Sequence, residues 1–254
     1  MPAPERSAQA VFGERAAFYT TSPAHTDPQV LERLIQLAGP EPDWQALDVA
    51  TGSGHTALAL APHVATVTGT DITPEMLAEA ERLRDSREIT NVTYAEADIH
   101  ALPFDDGSFD LVTCRRAAHH FTAINQALAE MHRVLRPGGR LVIDDRSVPE
   151  DAFVDACMNR LDFYHDESHV RQYPPGEWEM MLTGAGFSID AIETYTRHRP
   201  LTSLTGGVSE TNVAKINALL DGLSAEQREA LNLTEINGER WLNHWYIMLA
   251  GRRS

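Results

Sequence analysis

A predicted strand that runs into a glycine-rich turn and then a helix constrains this chain most strongly. Residues 46–50 read as a buried strand, and the turn after it contains Gly52 and Gly54. Glycine adopts positive φ angles and lets a ligand approach bare backbone. In a parallel α/β sheet this turn lies at the carboxyl end of the first strand, where such folds bind ligands. Asp48 is placed there to bind a cationic or hydroxyl-bearing ligand. Residues 52–57 also fit the dinucleotide fingerprint, so the turn leaves the ligand open.

Predicted strands and helices alternate along most of the remaining chain. The predicted strands cover residues 46–50, 65–71, 92–97, 109–114, 140–144, 187–195 and 245–250. Alternation of this kind favours a mostly parallel sheet with helices on both faces. The sequence therefore predicts an α/β fold with a Rossmann-like, mostly parallel seven-stranded sheet.

Three segments are predicted to elaborate this sheet within a single domain over residues 1–254. Residues 1–40 are expected to form an N-terminal helical lid, and residues 201–239 a helical insertion before the last strand. Residues 148–175, after the fifth strand, read as irregular and are expected on the substrate side with the insertion. Apolar side chains in the added segments are expected to form core and part of an acceptor pocket: Met158, Tyr164, Trp178, Met180, Met181 and Trp241.

The charge balance argues against a nucleic-acid partner. The chain has 37 acidic and 21 basic residues and a net charge of −16. No basic patch is present to neutralise a run of phosphates. The two cysteines, Cys114 and Cys157, form no disulfide pattern, and no signal peptide or membrane-spanning run is evident. We expect a cytoplasmic protein without a membrane partner, and its oligomeric state stays open.

Two further carboxylates follow predicted strands. Asp71 ends the second strand, where a carboxylate accepts hydrogen bonds from ribose hydroxyls, as dinucleotide sites also do. Asp98 follows the third strand, where its carboxylate would lie beside an adenine and accept a bond from the exocyclic amine. The next block, residues 102–112, has no role in hydride-transfer folds and therefore disfavours a nicotinamide cofactor.

In combination these motifs resemble the class I S-adenosylmethionine-dependent methyltransferases, in particular the ubiquinone/menaquinone-biosynthesis-like (methyltransferase type 11) small-molecule branch. The resemblance rests on four blocks in order, at residues 47–55, 69–77, 97–112 and 135–142. Residues 133–141, Arg-Val-Leu-Arg-Pro-Gly-Gly-Arg-Leu, are typical of that family. One departure is Ala50, which stands where the family usually has glycine and narrows the pocket by one methyl group.

The resemblance implies that the chain binds S-adenosyl-L-methionine and releases S-adenosyl-L-homocysteine. By this implication the turn at Gly52 and Gly54 contacts the methionine portion, Asp71 holds the ribose, and Asp98 and Ile99 flank the adenine. The residues expected to bind the cofactor are Tyr19, Asp48, Ala50, Gly52, Gly54, Asp71, Ile72, Asp98, Ile99 and Arg115. Tyr19 belongs to an aromatic cluster with Phe12 and Phe18 in the predicted lid, and would approach the sulfonium through a cation–π contact.

His119 and His120 are the candidate catalytic residues. They follow the fourth strand, next to the expected position of the methyl group, and histidine titrates in the range that a general base requires. The alternative interpretation is that they pack the protein or support the cofactor loop. No metal site is expected: Asp144, Asp145 and Arg146 read as a solvated loop with local ion pairs, and His165 and His169 as surface or capping residues without a third ligand.

The predicted activity is transfer of a methyl group to a small, partly apolar metabolite by in-line displacement. Methyl transfer from a sulfonium needs mainly that the acceptor and the methyl group be brought together. One alternative keeps the same cofactor but catalyses a cyclisation, rearrangement or decarboxylation. A second is an NAD-dependent oxidoreductase, and a third is a binding module that has lost turnover. The fold does not choose the acceptor atom.

Overall fold

The computed structural model describes residues 4, 6–21 and 23–254, and within them the side chains other than those of residues 15, 17–21, 23 and 24. The helices described are α1 (Ala8–Thr21), α2 (Pro23–Thr26), α3 (Pro28–Ala38), α4 (His55–Leu60), α5 (Pro74–Ser86), α6 (Ile124–Val134), α7 (Ala152–His165), α8 (Pro175–Gly184), α9 (Thr202–Thr205), α10 (Glu210–Asp221) and α11 (Ala225–Ala230). The strands described are β1 (Gln45–Val49), β2 (Thr66–Asp71), β3 (Val92–Glu96), β4 (Phe109–Arg115), β5 (Leu135–Ser147), β6 (Phe187–Pro200), β7 (Thr234–Ile236) and β8 (Glu239–Arg253). Short 3-10 turns lie at Ala61–His63 and Ala118–His120.

The strands form one sheet in the order β3-β2-β1-β4-β5-β8-β6. Strands β1 to β5 pair in parallel, whereas β8 lies antiparallel between β5 and β6. The predicted Rossmann-like, mostly parallel sheet is confirmed. An additional short strand, β7, pairs with the start of β8 inside the predicted insertion. Because the strand order reverses between β1 and β4, the carboxyl ends of these strands frame a crevice of the kind that binds ligands.

Helices cover both faces of the sheet, as the packing of successive buried side chains of β1 shows. Leu47 belongs to a buried cluster with Met131 of α6 and Trp178 of α8. Its neighbour Ala46 belongs to another buried cluster, with Leu34 of α3 on the opposite face. Successive side chains of a strand point to opposite faces, so each face needs its own apolar cover. The two clusters together fix the sheet and leave its carboxyl edge available for a site.

The segment 148–175 contains α7, where the sequence predicted irregular structure. The buried side of this helix mixes polar residues, Asn159 and Asp162, with apolar ones such as Leu161. The mixture hides the helical periodicity of apolar residues on which the prediction depended. α7 packs against α9, α10 and α11, and Leu161 shares a third buried cluster with Ile216 of α10. The two predicted additions therefore pack largely on each other.

Candidate functional site

A cavity of about 290 Å³ lies at the carboxyl ends of the parallel strands. It is lined by ends of β1, β2 and β4, by the segment after β3, by the start of α1 and by Ser168 from the loop between α7 and α8. Of the residues predicted to bind a cofactor, those that line the cavity are Asp48, Ala50, Gly52, Asp71, Ile72, Asp98, Ile99 and Arg115. The fold thus gathers residues that are spread over about a quarter of the chain.

The two glycines of the turn after β1 lie in different surroundings. Ala50, Gly52 and Gly54 all adopt positive φ, at +49°, +55° and +82°. Gly52 lines the cavity, but Gly54 does not. A Cβ on Gly54 would collide with the Tyr94 hydroxyl and would lie 3.1 Å from the Ala80 Cβ. The predicted role of Gly54 in cofactor binding is therefore corrected to close packing of the turn against β3 and α5.

Asp48 is buried beneath the turn and uses both carboxylate oxygens within the protein. Its Oδ2 accepts a hydrogen bond from Thr51 at 2.5 Å, and its Oδ1 accepts one from Thr113 at 2.7 Å. Burial raises the pKa of Asp48 to about 6. The side chain predicted to bind a ligand instead ties the turn to β1 and β4, and so shapes the wall that a ligand contacts.

Asp71 is likewise committed to backbone amides. The N–H of Gly52 donates to its Oδ2, and the N–H of Thr73 donates to its Oδ1, both at 2.9 Å. Burial raises the pKa of Asp71. The carboxylate therefore clamps the glycine turn to the start of α5 at the edge of the cavity. The next residue, Ile72, is 38% exposed, and its carbonyl accepts a hydrogen bond of 2.9 Å from Gln9 of α1.

Asp98 and Ile99 form the side of the cavity beyond β3. Asp98 is half-exposed, and its Oδ1 accepts a hydrogen bond from the backbone N–H of His100 at 2.9 Å and pairs with Nδ1 of that ring at 2.7 Å. These bonds hold the pKa of the carboxyl below its usual value. Ile99 is buried and presents apolar surface. The pair combines a charged acceptor with an apolar wall.

Arg115 carries a buried N–H group that has no partner among the described residues. Its Nε donates to Oγ1 of Thr56 at 2.9 Å, and its Nη2 donates to the carbonyl of His25 at 2.7 Å. Its Nη1 is buried and has no partner among the described residues. Arg115 lines the cavity with a positively charged side chain, which suits an anionic group such as a carboxylate.

The two candidate catalytic histidines occupy different environments. His119 does not line the cavity: its backbone N–H and its Nδ1 contact the two carboxylate oxygens of Asp145 at 2.8 and 2.6 Å. Burial lowers the pKa of His119 well below its usual value, and burial raises that of Asp145 to about 6. His119 is therefore buried behind the lining of the cavity, and its catalytic role stays a prediction. His120 lies against it, with ring centroids 4.0 Å apart, and lines the cavity.

Helix α1 and the segment before it cover the cavity. The ring of Phe12 meets the ring of His120 edge to face at 4.9 Å. The backbone N–H of Arg6 donates to the carbonyl of Glu167 at 3.2 Å. Beside Glu167, Ser168 lines the cavity and contacts Nδ1 of His120. Sequence reasoning missed Ser168 because no motif marks it and 48 positions separate it from His120. The side chains of Phe18 and Tyr19 lie outside the described residues, so the predicted sulfonium contact stays a prediction.

The Asp144–Arg146 segment is buried strand rather than the solvated loop that the sequence predicted. It lies within β5, and both aspartates are 1% exposed or less. Asp144 accepts a hydrogen bond from Arg116 at 2.8 Å, and Arg146 pairs with Asp162 of α7 at 2.8 Å. The strand extends beyond its predicted end, and pairing with β8 carries these charges into the interior. They anchor the added segments to the sheet.

His165 and His169 face different partners and do not form a pair. His165 ends α7 and has Nδ1 2.9 Å from the carbonyl of Leu204. His169 is buried, with Nε2 3.0 Å from Oδ1 of Asn159. Among the described residues, no group of three or more His, Cys, Asp or Glu side chains is arranged to hold a metal ion. Nor does this part of the chain include a helix with the length and apolar character to cross a membrane.

The apolar side chains expected in an acceptor pocket lie elsewhere. Trp178 is fully buried in the main core, Met158 belongs to the cluster around α7, and Met180 is 68% exposed. None of the six residues of that prediction lines the cavity. Its apolar walls come instead from Phe12, Phe121 and the strand ends. The burial of Trp178 and Met158 agrees with the expectation that most of these side chains form core, whereas the walls of this cavity come from side chains distant in sequence.

Known proteins resemble this chain over most of its length. A family model described as a methyltransferase domain matches residues 47–143. The methyltransferase YcgJ of Bacillus subtilis (strain 168) is 32% identical over 225 residues, which cover 88% of this chain and 89% of that protein. The YcgJ crystal structure has a TM-score of 0.83 and 32% identity and covers 89% of this chain and 98% of its own. The BH2331 structure from Bacillus halodurans C-125 has a TM-score of 0.85 at 29% identity and covers 89% of this chain and 99% of its own.

A shorter match covers less than half of the chain. The demethylmenaquinone methyltransferase of Thermus thermophilus is 44% identical over 113 residues, 44% of this chain and 51% of that protein. The full-length likeness to YcgJ, the matching domain and the confirmed sheet topology agree with the motifs in the sequence. The chain belongs to the class I S-adenosylmethionine-dependent methyltransferases.

Proposed function

We propose that this enzyme transfers a methyl group from S-adenosyl-L-methionine to a small, partly apolar metabolite and releases S-adenosyl-L-homocysteine. The observation that carries the proposal is the cavity at the carboxyl ends of the parallel strands, which Arg115, Asp71 and Asp98 line together. A zwitterionic ligand with an amino acid at one end and a nucleoside at the other satisfies this combination of charges. The family supplies the methyltransferase activity, and the cavity supports the choice of cofactor.

Each part of the cofactor would meet a chemically suited group. Arg115 would hold the methionine carboxylate, because it is a cation that lines the cavity and is preorganised by Thr56 and His25. The carboxylate of Asp71 has remaining lone pairs for the ribose hydroxyls. Asp98 would accept a bond from the adenine amine, and Ile99 would pack against the base. When bound, the cofactor supplies a methyl group already activated by its sulfonium.

The protein's contribution to the reaction is then mainly positioning. Holding acceptor and methyl group in line is worth roughly 7–11 kcal/mol of the barrier. A general base adds about 10²–10⁴-fold where the acceptor must lose a proton. Of the two candidate catalytic histidines, His120 is the one that lines the cavity, so we assign it the role of base. Phe12 and Phe121 would contact an apolar part of the acceptor.

The acceptor class draws support from the relatives. One of them is named a demethylmenaquinone methyltransferase, and the match covers 44% of this chain. A quinone-like ring with a removable proton fits a cavity that aromatic and histidine side chains line. The acceptor itself is part of the proposal.

Calorimetric titration with S-adenosylmethionine and, separately, with NAD tests the cofactor. We expect micromolar binding of the first and none of the second. Arg115→Met should weaken binding about 10- to 100-fold, because a hydrogen bond to a charged group is worth about 1.5–3 kcal/mol. Arg82→Met, on the exposed side of α5, is the matched control and should bind like the wild type. Equal binding by both variants, or binding of NAD alone, would refute the proposal.

Product analysis tests the reaction. Incubation with S-adenosylmethionine and a panel of phenols and hydroquinones should give S-adenosylhomocysteine together with a product heavier by one methyl group. A product without that gain in mass, formed only when the cofactor is bound, would instead support a cyclisation, rearrangement or decarboxylation on the same scaffold.

A further inference from the structure

The ring of His120 is held by a short chain of hydrogen bonds that ends on a carboxylate. Its Nδ1 lies 3.1 Å from Oγ of Ser168 and 3.2 Å from the carbonyl oxygen of the same residue. The hydroxyl of Ser168 donates to Oδ1 of Asp166 at 2.6 Å, and its backbone N–H donates to the same oxygen at 2.9 Å. Ser168 and Asp166 are both buried. The loop between α7 and α8 thus presents one fixed face to the histidine.

The direction of these hydrogen bonds follows from which atoms carry a hydrogen. A serine hydroxyl has one hydrogen, and here Asp166 accepts it. Asp166 is anionic: burial opposes ionisation, but the two hydrogen bonds from Ser168 help to hold its pKa below the usual value. Towards His120, therefore, both oxygens of Ser168 are acceptors. Nδ1 must carry the ring proton, and the lone pair of the neutral imidazole lies on Nε2.

We propose that Asp166 and Ser168 are positioning residues that fix His120 as the Nδ1–H tautomer, so that Nε2 accepts a proton from the methyl acceptor. The inference rests on the proposed methyl transfer. In the step, Nε2 of His120 takes the proton from the acceptor atom, and the electron pair left on that atom forms the bond to the methyl carbon. The carbon–sulfur bond breaks, and its electron pair remains on sulfur. The protonated His120 then releases its proton to solvent.

Two features favour His120 over the adjacent His119 for this role. His119 also has Nδ1 against an acid, Asp145, but it does not line the cavity. Phe12 contacts the edge of the His120 ring, so the covering helix restricts its rotation as well. The acceptor class that follows has a proton on the atom to be methylated: a hydroxyl, a phenol or an acidic carbon. An acceptor that is already a free nucleophile, such as a thioether, gains nothing from this arrangement.

Long-range ¹H–¹⁵N NMR of the imidazole nitrogens, on the full-length chain without ligands, tests the inference. His120→Gln assigns the signals of His120 by their loss. We expect the Nδ1–H tautomer in the wild type. Ser168→Ala removes one acceptor and should shift the tautomer ratio about fivefold towards Nε2–H, the equivalent of one hydrogen bond of about 1 kcal/mol. Ser168→Thr keeps the hydroxyl and should restore the wild-type ratio.

A serine beside another histidine provides the matched control. Ser203 lies 3.4 Å from Nε2 of His244, away from the cavity, so Ser203→Ala should leave the His120 signals unchanged. An Nε2–H tautomer of His120 in the wild type would overturn the inference, whether or not any variant folds. So would an unchanged ratio in Ser168→Ala. Titration with S-adenosylmethionine judges the proposed function separately, because the tautomer is measured without the cofactor.

Discussion

Replacement of Asp71 by asparagine should destabilise the protein even before any ligand is added. The two carboxylate oxygens of Asp71 accept the N–H groups of Gly52 and Thr73, each at 2.9 Å. Asparagine has one acceptor oxygen, and its NH₂ group would face the other N–H. The turn after β1 and the start of α5 would then lose one of the two bonds that join them.

The magnitude follows from burial. The side chain is 9% exposed, so water does not replace the lost acceptor. A hydrogen bond to a charged group contributes about 1.5–3 kcal/mol, and leaving a buried donor unpaired costs about as much as losing the bond. We expect the free energy of unfolding to fall by about 2–3 kcal/mol. Affinity for S-adenosylmethionine should fall about 10-fold or more, since the same turn lines the cavity.

Urea unfolding and calorimetric titration at about pH 7.5 measure both effects. Burial raises the pKa of Asp71, so the pH is kept high enough for full ionisation. The matched control is Asp98→Asn, because Asp98 lines the same cavity but bonds only the neighbouring His100. This control should change the unfolding free energy by less than about 1 kcal/mol. If Asp71→Asn loses no more stability than Asp98→Asn, the inference that Asp71 holds the glycine turn to the start of α5 is refuted.

Other predictions address the turn and the buried polar groups. Ala50→Gly should raise the unfolding free energy by about 0.5–1 kcal/mol, because removing the strain of a positive φ at alanine outweighs the greater entropy of glycine in the unfolded chain. The control Ala218→Gly, at an exposed position of a helix, should lower the unfolding free energy by about 1 kcal/mol. Tyr94→Phe should leave thermal stability equal or higher, because the buried hydroxyl of Tyr94 has no partner among the described residues. Gly54→Ala should lower the unfolding free energy by more than about 2 kcal/mol, because the added Cβ would collide with the Tyr94 side chain. Burial lowers the pKa of His169 to about 2, so its stabilising contribution is present above pH ~6.5 and is lost as pH falls. His169→Gln should therefore reduce the loss of unfolding free energy between pH ~7 and ~5.5 by about 1.4 kcal/mol, and an unchanged pH dependence in urea unfolding would contradict this.

The alternation of strands and helices was predictable because each parallel strand is a short apolar run with turn residues at its end. The same approach failed for α7, whose buried side includes Asn159 and Asp162. It also missed β7 and set β6 and β8 too short, because long antiparallel strands with half-polar faces resemble loops in sequence. The periodicity of apolar residues reveals a helix or strand only when its buried face is apolar throughout.

Among the site residues, the local sequence predicted where a side chain lies in the fold better than it predicted which groups the side chain contacts. Motifs at strand ends brought Asp48, Asp71 and Arg115 to one edge, since parallel strands share that edge. Asp48 binds two threonines, and Arg115 keeps one N–H without a partner among the described residues. Both outcomes depend on groups that lie 3 to 90 positions away in the sequence. Spacing along one strand carries no information about those contacts.

The mostly parallel sheet and the family were predictable from the sequence alone, because glycine turns and apolar strands act through local conformation and burial. The strand order and the different surroundings of His119 and His120, two adjacent histidines with the same intrinsic chemistry, arise only in the folded chain. Asp145 of β5 buries one ring, whereas Ser168 orients the other at the cavity. The distinction comes from neighbours 26 and 48 positions away, and only folding brings them within hydrogen-bond distance.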